Sequence, residues 1–235
     1  MDLLIKGSTE LNKMFMALQR TASGLRRDFG EVESLQQSLR SAHDFVQKAA
    51  SRIEESILND LLLVRPSAGL LTPNLVQDGD GRDEFVLALS GAQNFVRGNP
   101  HFAISLALCS NDEARIALVY SPIDDRLYFA EAGTGADVFS TFHSARLKVS
   151  NVSEMGEATV AYNTSDCRPM VGDVRRSGCP ALDLAWVAAG KLDAFISDPL
   201  NYAEIAAGDL IVREAGGHIS LGADLVVTNG KLKIE

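Results

Sequence analysis

The chain has 235 residues, 46% of them apolar and 23% charged, with 31 acidic against 22 basic side chains and a net charge of −9. That is enough apolar residue to bury a sizeable core, which excludes a disordered chain. A field of this sign repels a phosphate backbone and argues against nonspecific nucleic-acid binding. The three cysteines, Cys109, Cys167 and Cys179, match no zinc or C-x-x-C spacing and read as free thiols in a reducing cytosol. The start, "MDLLIKGSTELNKMF", is not a signal peptide, and no run reaches the ~20 apolar residues of a membrane span. A soluble, cytoplasmic protein with no membrane contact is expected.

Along the chain, Leu11, Met14, Phe15, Leu18 and Thr21 recur at helical spacing and predict an amphipathic helix over 9–29, ended by Gly30. Residues 32–40 read as a short strand or turn. Phe45, Val46, Ala49, Ile53, Ile57, Leu61 and Leu62 predict a second helix over 42–65, closed by Pro66. "PSAGLLTPNLVQDGDGRDE" reads as a loop with an acidic tip. Strands are predicted at 85–89, 101–109, 113–122 and 125–133, with turn chemistry at "SNDE" and "PIDD" that favours antiparallel hairpins. "GTGADVFSTFHSARLKVS" continues the pattern. A strand at "EATVAYN" precedes a helix carrying Ala181, Leu184, Ala185 and Ala188, a strand at "LDAFIS", and a helix over 202–216 ended by Gly216–Gly217. "HISL" and "DLVVTNG" read as closing strands. The order predicts a layered α/β (α+β) protein in two parts, 1–150 and 151–235.

Several of these segments resemble one family. "NYAEIAAGDLIVREAGGHIS", "SGCPALDLAWVAAGKLDAF" and "GAQNFVRGNPHFAISLAL" are similar to consecutive signature segments of the inositol monophosphatase family. "DFGEVESLQQSLRSAHDFVQKAASRIEESI" is similar to the N-terminal helices of its bacterial extragenic-suppressor (SuhB-like) branch. The resemblance implies a sandwich of alternating helix and sheet layers, commonly a homodimer. It also implies magnesium-dependent hydrolysis of inositol monophosphate or similar sugar phosphates.

That chemistry needs several hard oxygen ligands around divalent cations. The resemblance implies four places for them, and this chain departs from the pattern at each. Ala50 stands at the acid of the second helix. Thr72, Pro73 and Asn74 replace the Gly-Glu-Glu loop. Leu87, Ser90 and Ala92 replace the two aspartates and the threonine of Asp-x-x-Asp-Gly-Thr, leaving Gly91. Ala203 and Glu204 replace Trp-Asp, so Glu204 is the one retained candidate ligand. Asn94 and Phe95 hold the register beyond Gly91, and the turn itself is expected to be kept. The segment between "ARLKVS" and "RRSG" and the C-terminal end are shorter than in the family.

The leading expectation is a catalytically inactive family member, needing no cofactor and binding Mg2+ weakly at most. Its role is then interaction or regulation, and the SuhB-like branch implies a partner in the transcription and antitermination machinery. A second expectation is residual phosphomonoesterase activity through Glu204 and relocated acids among Asp78, Asp80, Asp83 and Glu84. A third is metal-free anion binding, with Ser90 capping the following helix and the N–H groups of Gly91, Ala92 and Gln93 turned to a phosphate. "RRSG" (175–178) is a weaker phosphate candidate. Asp183 reads as a hydrogen-bonding acid on its helix, His101 as structural and Trp186 as core.

Overall fold

A computed structural model describes residues 5–35, 39–164 and 172–234; the side chains of 33–35, 39–47, 49 and 50 lie outside the described set. Cys167 and the side chain of Ala50 therefore fall outside it.

Helix α1, Thr9–Leu35, starts where the Ser8 hydroxyl accepts the Leu11 N–H at 3.1 Å. It runs past Gly30, so 32–35, expected as strand or turn, are helical. Helix α2, Leu39–Val64, stops just before the Arg65–Pro66 pair. The ring of a proline disfavours helical backbone in the residue before it. The buried stripes, Leu11, Met14, Phe15, Leu18 and Leu25 on α1 with Ile53, Ile57 and Leu61 on α2, lie against one face of a large sheet.

That sheet has eight strands: β1 Gly69–Leu71, β2 Val76–Gln77, β3 Asp83–Ser90, β4 Ala103–Ser110, β5 Glu113–Ser121, β6 Arg126–Glu131, β7 Gly135–Ser140 and β8 His143–Arg146. Their order is β2-β1-β3-β4-β5-β6-β7-β8, antiparallel except for the β1–β3 pair. The 66–84 stretch, expected as loop, thus contributes β1 and β2. A five-residue helix, α3 Ala92–Val96, links β3 to β4.

The second sheet comprises β9 Thr159–Asn163, β10 Asp173–Arg175, β11 Ala194–Ser197, β12 His218–Leu221 and β13 Leu225–Thr228, in the order β10-β9-β11-β13-β12. Between the sheets lie α4, Pro180–Ala188, and α5, Tyr202–Glu214. Their side chains share one core with Val86, Ala88 and Ala107 of the first sheet and Ala161, Phe195 and Val227 of the second. The helices approach closely: a Cβ on Gly208 of α5 would lie 2.7 Å from Leu184 Cβ of α4. Gly216, at φ +91°, ends α5 in the left-handed conformation expected of it. The layers alternate helix, sheet, helix, sheet, as expected. Among the described residues no helix is long and apolar enough to cross a membrane.

Candidate functional site

The stretch 87–92 begins inside a strand. Each residue of β3 pairs with β4, including Leu87 with Leu106 and Ser90 with Ala103. The expected turn starts only at Gly91. Side chains alternate along a strand, so positions three apart face opposite sides of the sheet. Leu87 is buried in the α1/α2 core beside Phe85 and Leu106. Ser90 points the other way, fully buried against the start of α4. The side chains of Leu87 and Ser90 do not converge.

Gly91 has φ +81° and is the N-cap of α3, with no side-chain cap. A Cβ there would lie 2.9 Å from the His101 carbonyl oxygen and 3.1 Å from Phe102 Cα, so both its conformation and its surroundings require glycine. The Ser90 hydroxyl, expected to cap α3, instead accepts the Ala181 N–H of α4 at 3.1 Å. Asn94 Nδ2 donates to the carbonyls of His101, at 2.7 Å, and Ser177, at 2.8 Å, tying α3 to the approaches of β4 and α4. Phe95 packs between Phe29 and Phe102. Ala92 is partly buried against the α1/α2 core and Gln93 is exposed.

A helix start offers unpaired N–H groups to an anion only if nothing else fills them. At α4 they are filled. Cys179 N–H donates to Ser177 Oγ at 3.0 Å, Pro180 has no N–H, Ala181 is taken by Ser90, and Leu182 and Asp183 donate to the Cys179 carbonyl. Asp183 adds a buried carboxyl in the first turn. Its Oδ2 accepts from Ser177 Oγ at 2.5 Å, while Oδ1 has no partner among the described residues. Burial pushes its pKa up to about 7, against the effect of the serine hydrogen bond. Burial also pushes the Cys179 thiol up to about 12, which removes it as a nucleophile.

Thr72 is buried, and its Oγ1 accepts from Asn74 N at 3.2 Å and Leu75 N at 3.0 Å. This closes the β1–β2 turn on itself and leaves Pro73 and Asn74 exposed at its tip. Ala203 is fully buried in the α4/α5 core. Glu204 is half-buried in the first turn of α5, and burial raises its pKa while a backbone hydrogen bond from Asn201 lowers it. Asn201 is the N-cap, its Oδ1 accepting the Ala203 N–H at 2.9 Å. Asn201-x-x-Glu204 is thus a reciprocal cap, in which the glutamate serves its own helix. Among the described residues no group of three or more His, Cys, Asp or Glu side chains is placed to hold a metal ion. A magnesium site needs such a set of hard oxygens, and the described residues do not bring one together.

Three of the four acids considered for relocation do come together. Asp78, Asp83 and Glu84 line a cleft of about 490 Å³ with Arg82, Asp112, Cys109 and Tyr202. Burial, Asp112 and Asp78 raise the Glu84 pKa. Asp83 opens β3 and Ser90 ends it, so this cleft lies ~20 Å along the strand from Ser90. Asp80 turns aside, its Oδ1 accepting the Arg82 N–H at 3.0 Å.

The family model for inositol monophosphatases matches residues 8–224. The chain belongs to the inositol monophosphatase family. It is 37% identical over 228 residues to the inositol-1-monophosphatase of Rhizobium meliloti, covering 89% of this chain and 84% of that one. It is 30% identical over 242 residues to the Nus factor SuhB of Pasteurella multocida, covering 94% and 89%. The crystal structure of the extragenic suppressor protein SuhB from Bartonella henselae superposes with a TM-score of 0.83 at 32% identity, covering 96% of this chain and 95% of that one.

Within the family frame, the remaining candidates have local duties. Arg175 pairs with Asp173 at 2.5 Å, and Arg176 donates to the Thr164 carbonyl at 2.6 Å. Trp186, expected in the core, is only partly buried and meets the His101 ring edge-on at 4.9 Å. Asp183 is the hydrogen-bonding acid expected. Reading the sequence missed its partner Ser177, the cap at Asn201 and the presence of Asp112 in the acidic cleft. Only the cap had a local signal, the Asn-x-x-Glu spacing.

Proposed function

We propose that this chain is a family member without metal-dependent phosphatase activity, serving as an interaction or regulatory protein. The observation that carries the reading is the pair Leu87 and Ser90. They lie at the acid positions of the family turn, face opposite sides of one strand, and are each built into a packed interior. An ion cannot be held by a leucine in an aromatic–aliphatic core and a serine already bonded to a helix start. The self-closed turn at Thr72 and the capping duty of Glu204 support the same reading. On it, magnesium is a weak and nonspecific ligand at most.

For the role that remains, the relatives named Nus factor SuhB supply the class of partner: a component of the transcription machinery, met in the cytoplasm, by this chain as a monomer or a homodimer. Calorimetric titration with magnesium, run beside hydrolysis of inositol monophosphate and of a chromogenic phosphate ester, tests the first part. The expected result is no saturable binding in the millimolar range and no turnover above buffer. Magnesium-dependent turnover would overturn it. Binding to purified transcription complexes tests the second part, and failure to associate with any of them would remove it.

A further inference from the structure

We draw no further inference here: the strongest candidate, the acidic cleft where Asp78, Glu84 and Asp112 meet beside the start of β3 and Tyr202 of α5, carries nothing, because it is a cluster of carboxylates that no buried polar group without a partner lines and that brings together no metal-holding set among the described residues.

Discussion

The hydroxyl of Ser90, the last residue of β3, accepts the backbone N–H of Ala181, the second residue of α4, at 3.1 Å. One atom thus joins the end of an interior strand of one sheet to the start of a helix that packs between the two sheets. The atom serves as a contact of the fold.

Ser90→Ala should therefore cost stability without touching any activity. Losing a helix cap costs ~1 kcal/mol, and the buried Ala181 N–H left without a partner adds to that. A loss of about 1–3 kcal/mol in urea unfolding is expected. A stability unchanged from the parent would mean that the cap at α4 is carried by Ser177 alone.

Restoring the family acids should not restore chemistry. Leu87→Asp buries a carboxylate among Phe85, Leu106 and the α1/α2 stripe, all apolar among the described residues. Uncompensated burial of this kind costs several kcal/mol. The double variant with Leu87→Asp and Ser90→Asp is expected to unfold at lower urea than either parent or Ser90→Ala, and to show no magnesium-dependent phosphatase activity. Turnover in that variant, measured with a chromogenic phosphate ester, would show that the strand reopens into a turn.

Asp183 makes stability depend on pH. Burial raises its folded pKa to about 7, from the ordinary aspartate value of 3.8. The folded protein then holds the proton more tightly than the unfolded chain does. The stabilisation from protonation is fully present below about 3.8 and is lost as pH rises through about 7. Between these values stability falls with rising pH, by up to ~1.4 kcal/mol per pH unit for one proton. Asp183→Asn keeps an acceptor for Ser177 Oγ and cannot ionise, so its unfolding midpoint should lack this slope between pH 5 and 7. Equal slopes in parent and variant would place the titration elsewhere.

The helices α1, α2, α4 and α5, and nearly all of the strands, were legible in the sequence, because their apolar spacing follows the period of each element. Family membership was legible for a related reason. The segments that carry the resemblance are core segments, such as "ALDLAWVAAGKLDAF" and "IAAGDLIVREAGG", where close packing allows few alternatives. The proposed absence of metal ligands was legible as identity alone: Leu87 and Pro73 carry no side-chain oxygen and Ser90 no carboxylate.

What those residues do instead was decided by tertiary structure. Nothing local says that Ser90 meets Ala181, 91 positions away, or that it caps α4 rather than α3. Continuing β3 through Ser90 depends on pairing with β4, and that pairing turns Leu87 and Ser90 to opposite faces. The β1 and β2 strands are short, and β1 is formed by parallel pairing with β3, which leaves no alternating run to read. Asp183 has an ordinary place on its helix, and its raised pKa comes from the layers that close over it. Sequence by itself determined which elements form and which side-chain types stand at each position, because both depend on residue identity and local period. Contacts across the sheet and between layers decided where each remaining polar group found its partner.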